Sequence, residues 1–96
     1  MGLHPKLMLS QLLKDGENIM LMNEMKVGAS GIVKAIIASP MIKKRLLAMG
    51  LTPNTPFRIA KVAPLGDPIE LSIRGYRLSI RKSEASCLEV ELSEND

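Results

Sequence analysis

The stretch from Ile69 to Lys82, IELSIRGYRLSIRK, constrains the fold more than any other part of the chain. Apolar residues fall at every second position on both sides of a central glycine, which is the period of a strand with one buried face. The two runs are close enough to be the arms of one hairpin. Placing Gly75-Tyr76 at a two-residue tip, with glycine supplying a positive φ, sets Ile73 against Leu78 and Leu71 against Ile80 on the inner face. The same register puts Glu70 across from Arg81, Ser72 across from Ser79 and Arg74 across from Arg77 on the solvent face. A slip of one residue would turn the apolar set to water, so an antiparallel sheet is expected to frame the molecule.

The stretch SPMIKKRLLAMGLTP carries helix punctuation at both ends. Ser39 caps free N–H groups, Pro40 suits the first helical position, and Gly50 suits the left-handed residue just past the last turn. Ile42, Leu46 and Met49 recur on one face, Leu51 can fold back on Leu46, and Lys43, Lys44 and Arg45 fill the other face near the favourable end of the dipole. Ahead of this helix, Gly28 and Gly31 flank the entry to a strand over Ile32–Ile37. After it, FRIAKVA alternates from Phe57 to Ile59 and slips by one before Val62, which predicts a bulge or bend. Ser83 can cap one helical turn over Ser83–Ser86 before CLEVEL forms a last strand, with Leu88, Val90 and Leu92 inward and Glu89 and Glu91 outward.

About five short strands are too few for two independent sheets. The expectation is a mainly β fold, a small closed or half-closed antiparallel barrel with one helix between the first two strands. Residues 24–92 would form this domain. Residues 1–23 read as an extension, a short amphipathic helix on Leu7, Met8, Leu12 and Leu13 that stops near Asp15-Gly16, and residues 93–96 read as a disordered tail.

At 96 residues there is room for one modest core and none for a cleft between two lobes. The aromatic residues are Phe57 and Tyr76, so Leu, Ile, Val and Met must build that core, and a base-stacking platform is missing. The net charge of +3 comes from 13 basic residues interleaved with 10 acidic ones, a weak nucleic-acid signal. One cysteine, Cys87, gives no disulfide and fits a reducing cytoplasm, and His4 is isolated, so no metal site of the zinc type and no cofactor are expected. Weak binding of a divalent ion by carboxylates stays open, but Glu89, Glu91 and Glu94 read more simply as a solvated strand edge. Met20, Met22 and Met25 are soft enough in type for Cu(I), yet no His or Cys accompanies them, and core filling or a flexible contact is the plainer account. There is no paired acid and base, no Ser-His or Cys-His set and no phosphate loop, so the inventory is not that of an enzyme. The opening MGLHPKLMLSQLLKDG lacks the pattern of a signal peptide, and no uncharged apolar run approaches the roughly 18 residues of a membrane span, so no direct membrane insertion is expected.

In APLGDPIEL, Pro64 closes the preceding strand, Gly66-Asp67 turns the chain, and Pro68 opens the next strand where its missing N–H harms nothing. Turn chemistry leaves Leu65 unexplained. Either it folds over the open end of the barrel, or it stands out as the apolar anchor of a stiff loop, with Asp67 orienting the backbone or meeting a basic group of a partner.

From Glu24 to Leu92 the chain resembles the FeoA family of ferrous iron transport accessory proteins, through RLLAMGL, APLGDPI and LSIRKSEA in that order and spacing. Asn54, after Pro53, stands where the family usually has glycine, and asparagine tolerates the left-handed region. The resemblance implies an SH3-like barrel, a cytoplasmic location, and a partner in FeoB, the membrane iron transporter bearing a G-protein domain. The partner-binding residues then expected are Leu65, Gly66, Asp67 and Pro68 on the loop, Lys44, Arg45 and Met49 on the helix, and Arg74 and Arg77, whose mutual repulsion hints at an anion or acidic surface nearby. Ser39, Pro40, Leu46, Gly50, Leu51, Pro53, Pro64 and Gly75 would hold the frame. A stand-alone regulatory domain like the barrel of metal-dependent repressors, sensing metal or binding a repressor, is an alternative reading, and a small basic RNA-binding barrel is a third, weaker one. Weak homo-oligomerisation is left open.

Overall fold

The computed structural model describes residues 18–93. The strands are β1 (Ile19–Leu21), β2 (Ser30–Ile36), β3 (Pro56–Val62), β4 (Ile69–Ile73), β5 (Tyr76–Ile80) and β6 (Leu88–Leu92). Helix α1 (Pro40–Ala48) lies between β2 and β3, the single turn α2 (Lys82–Ala85) lies between β5 and β6, and a 3-10 turn at Met22–Glu24 follows β1. All six strands join one antiparallel sheet in the order β1-β6-β2-β3-β4-β5. The fold is mainly β, as expected, with six strands where about five were foreseen.

Two register shifts bend the sheet, between Val33 and Ala35 against β6 and between Ile59 and Lys61 against β4. The second is the slip legible in FRIAKVA. Because the sheet curls, inward residues of its distant strands meet in one core, including Val33, Ile36, Phe57, Ile59, Leu71, Ile73, Ile80, Leu88 and Val90. Leu46 of α1 and Leu51 beyond it complete that cluster, both with no exposed surface.

The extra strand is β1, in residues read from the sequence as an extension. It pairs with β6, Ile19 opposite Glu91 and Leu21 opposite Glu89, and the following turn drives Met22 and Met25 into the core, with Met20 packed partly against it. Among the described residues the sheet therefore begins at Ile19 rather than at 24. The amphipathic helix expected before it lies outside the described residues, as does the tail from residue 94. Ser93 donates its N–H to the Ser30 carbonyl at 2.9 Å and so extends the sheet. With β1 on one side and β2 on the other, β6 is an interior strand, so Glu89 and Glu91 do not line an edge; Glu91 instead forms an ion pair with Lys34 Nζ at 3.5 Å.

The hairpin tip sits one residue earlier than expected. Arg74 and Gly75 take φ values of 45° and 89°, the pattern of a type I′ turn, and Ile73 pairs with Tyr76, Leu71 with Leu78 and Ile69 with Ile80. Each partner has moved by two positions, which leaves the same residues facing the core. Ser72 now faces Arg77 and Glu70 faces Ser79, and the expected juxtapositions of Arg74 with Arg77 and of Glu70 with Arg81 do not form.

Helix α1 has the ends its sequence announces. Ser39 Oγ accepts from Ile42 N at 3.4 Å, and Pro40 occupies the first turn. At the far end Gly50 N donates to Leu47 O at 3.0 Å and Leu51 N to Leu46 O at 3.1 Å, the paired bonds of a Schellman cap, with Gly50 at φ 103°. One expectation fails on its apolar face. Leu46 alone is buried within the helix, Met49 is half-buried, and Ile42 is exposed, because α1 rests on the sheet by its C-terminal half. The next turn meets its sequence expectation: Thr55 N donates to Thr52 O at 3.1 Å across Pro53-Asn54, and Asn54 takes φ 72°.

Candidate docking surface

The loop between β3 and β4 is a closed turn. Gly66 N donates to Ala63 O at 2.7 Å across Pro64-Leu65, Ala63 N donates to Pro68 O at 3.1 Å, and Gly66 takes φ 88°. Pro64 pre-sets the first central position and glycine relieves the fourth, so the residue types match the turn. This geometry holds Leu65 out at the tip with 93% of its surface exposed. The alternative in which Leu65 folds over the open end of the barrel is thereby removed.

Asp67 does not point away with it. Its Oδ1 accepts the backbone N–H of Lys82 at 3.0 Å, so the loop satisfies one of the unpaired donors at the start of α2. Asp67 thus orients backbone through Oδ1 while its side chain stays exposed. Gly66 stands beside the Lys82 side chain, whose Nζ would lie 3.8 Å from a Cβ placed there.

From α2 the connection runs to α1. Glu84 is buried, its Oε1 accepts from Arg81 N at 2.8 Å, and its Oε2 pairs with the Arg45 guanidinium of α1. Arg81 rather than Ser83 is therefore the residue that precedes the helical turn, and Glu84 supplies its cap. Arg45, expected to offer its charge to a partner, spends much of it on this carboxylate. Lys43 and Lys44 on the same helix are exposed, as are Lys82 and Arg81.

At the other end of α1, the Tyr76 hydroxyl donates to Met49 O at 3.0 Å. Met49 thus takes part through its carbonyl, with its side chain packed partly against the core. A Cβ on Gly50 would come within 2.3 Å of the Tyr76 oxygen, so this glycine is required for space as well as for its φ. Arg77 Nη1 pairs with Glu70 Oε2 at 2.5 Å across the β4–β5 ladder, which replaces the expected repulsion by attraction; Arg74 stands exposed in the turn.

Sequence reasoning missed two residues of this arrangement. Glu84 follows Arg81 by three residues, the spacing of a capping glutamate, but without the Ser or Thr that normally announces it. Tyr76 was assigned to the turn tip, where its reach to α1 could not be seen. Cys87 donates weakly to Ser83 O, at 3.5 Å. Among the described residues no group of three or more His, Cys, Asp and Glu side chains is placed to hold a metal ion, and no helix is long and apolar enough to cross a membrane.

The family model of the FeoA domain matches residues 20–92. A fusion protein of Porphyromonas gingivalis, Fe(2+) transport protein A/Fe(2+) transporter FeoB, is 30% identical over 73 residues, which are 76% of this chain and 9% of that relative. The chain therefore spans under a tenth of the length of that relative. The solution structure of a FeoA-like protein from Clostridium acetobutylicum superposes with a TM-score of 0.74 at 35% identity, covering 81% of this chain and 91% of that one. The crystal structure of Stenotrophomonas maltophilia FeoA, a prokaryotic SH3 domain protein complexed with zinc, gives a TM-score of 0.65 at 25% identity, covering 74% and 88%.

Proposed function

The chain belongs to the FeoA family, and from that premise we propose that it is a non-enzymatic accessory protein of ferrous iron uptake, docking on the cytoplasmic G-protein part of a FeoB-type transporter. The observation that carries this reading is Leu65, held almost wholly exposed on a loop that is itself tied down. An isolated exposed leucine on a mobile loop would mean little. Here the turn bonds and the Asp67–Lys82 contact pre-order the loop, so docking would spend little of its free energy on fixing the chain. Burying one leucine contributes about 1.5–3 kcal/mol, enough for a central anchor in a small interface.

The charges around the loop suit such a role. Lys82 beside Gly66 would guide an acidic face towards Leu65 and raise the association rate more than the final affinity. Hydrogen bonds between Asp67 and Lys82 N, and between Glu84 and both Arg81 N and Arg45, connect the loop to α1 through α2. A fusion of the two named functions in one relative keeps both at a high mutual concentration, which fits partners that must meet.

The test is an NMR titration of the labelled chain with the soluble cytoplasmic domain of the transporter, followed by its GTP hydrolysis rate with and without the chain. The docking reading expects amide shifts concentrated at Ala63, Leu65, Gly66, Asp67 and Lys82. A titration that leaves those amides unmoved removes it.

A further inference from the structure

The sheet order ends on β5, so among the described residues Tyr76–Ile80 has a strand neighbour on one side only. The turn geometry fixes which backbone groups its open side offers. Ile73 and Tyr76 close a type I′ turn and exchange both ladder bonds, as do Leu71 with Leu78 and Ile69 with Ile80 two steps further along. Arg77 and Ser79 lie between these bonded pairs and turn their N–H and C=O groups outward. Among the described residues no backbone group pairs with them.

The same edge is strongly one-signed. Residues 74–82 carry Arg74, Arg77, Arg81 and Lys82 and no carboxylate, although the whole chain nearly balances 13 basic against 10 acidic residues. All four cations are exposed. Glu70 answers Arg77, while Arg74, Arg81 and Lys82 enter no ion pair among the described residues.

We propose that the β5 edge accepts an extended acidic segment of a partner protein as an added strand. The unpaired N–H and C=O groups supply main-chain affinity, and the row of cations selects for carboxylates on the incoming strand. A second copy of β5 is disfavoured, because antiparallel self-pairing would set these cations against one another. The first 17 residues are a poor occupant as well, since Lys6 and Lys14 cancel Asp15 and Glu17. RNA would meet the charges but leave the peptide groups unpaired, and the edge offers a single aromatic ring, Tyr76, whose hydroxyl is engaged with Met49. This site shares Lys82 with the surroundings of the Leu65 loop, but its pairing groups, on Arg77 and Ser79, lie outside that loop and do not depend on its docking.

The experiment titrates the labelled full chain with three probes: a ten-residue peptide alternating Thr and Glu, the same peptide N-methylated at every peptide nitrogen, and an oligouridylate of ten nucleotides. The Thr/Glu peptide is expected to bind saturably, to shift the Arg77 and Ser79 amides, and to slow their hydrogen exchange at least tenfold. The N-methylated peptide has the same charge but no N–H donors, and is expected to bind at least tenfold more weakly. Equal binding of the two acidic peptides, tighter binding of the oligouridylate, or absence of shifts along β5 overturns the proposal. Ser79→Pro removes an outward N–H and no ladder bond, so it should abolish Thr/Glu binding while the spectrum of β2, β3 and β6 is kept; binding retained by this variant also overturns the proposal. Should that variant fail to fold, the exchange of Arg77 and Ser79 in the unaltered chain decides.

Discussion

Arg45 and Glu84, 39 residues apart in the chain, form an ion pair in which the carboxylate is buried and the guanidinium is half open to water. Glu84 also caps α2 through Arg81 N, so one side chain fastens the last helical turn to α1. Removing the arginine leaves a desolvated charge with one partner fewer. Arg45→Ala should cost about 1–2 kcal/mol, the lower part of the range for a buried charged acceptor because the arginine is itself solvated. Denaturant titration measures this, and a loss below a few tenths of a kcal/mol would show that water replaces the guanidinium without penalty.

Gly50 and Tyr76 should be energetically coupled. Gly50→Ala introduces both left-handed strain and a contact with the tyrosine oxygen, and is expected to destabilise by more than about 1 kcal/mol. Tyr76→Phe alone forfeits the bond to Met49 O, about 0.5–1.5 kcal/mol. In the Tyr76→Phe background the Gly50→Ala cost should fall, since the nearest ring atom would then stand 3.7 Å from the new Cβ. A double-mutant cycle with strictly additive costs would deny the contact.

Asn54 occupies the left-handed region at φ 72°, with its N–H donating to Val33 O at 2.6 Å. Asn54→Gly is expected to be nearly neutral, and Asn54→Val to cost about 1–2 kcal/mol. Thermal unfolding of the two variants gives the comparison. Equal midpoints would mean that the turn relaxes out of that conformation.

Asp67→Ala separates the two roles of the loop. Loss of the acceptor for Lys82 N should cost about 1 kcal/mol of stability, the usual size for an end-of-helix donor. Because Leu65 remains, any loss of transporter binding in this variant reports loop ordering rather than lost apolar contact. Binding unchanged at the loop would show that the loop needs no tie to α2.

Local signals carried most of the fold. Ser39, Pro40, Gly50 and the turn at Pro53-Asn54 act on backbone within a few residues, and the structure has them in those roles. The hairpin tip was misplaced because glycine serves either central position of the two turn types, and a two-residue shift preserves the inward face, so alternation alone cannot choose. The strand Ile19–Leu21 was hidden because IML is short and has no alternation; its partner β6 lies about seventy residues away. Arg45–Glu84 and Tyr76–Met49 were hidden for the same reason, since side-chain partners across the fold leave no mark on local pattern. Leu65 drew notice because turn chemistry explained all its neighbours and not it, yet which way it pointed was decided only by the bonds that close its loop.

The central claim is that Leu65 anchors the chain to the transporter while contributing nothing to its own stability. The most direct measurement is the affinity of Leu65→Ala for the soluble cytoplasmic domain of FeoB, alongside its unfolding midpoint. The account predicts an unchanged midpoint, since the side chain is 93% exposed, and binding weaker by about tenfold or more, the equivalent of one buried leucine. Affinity equal to that of the unaltered chain would contradict it.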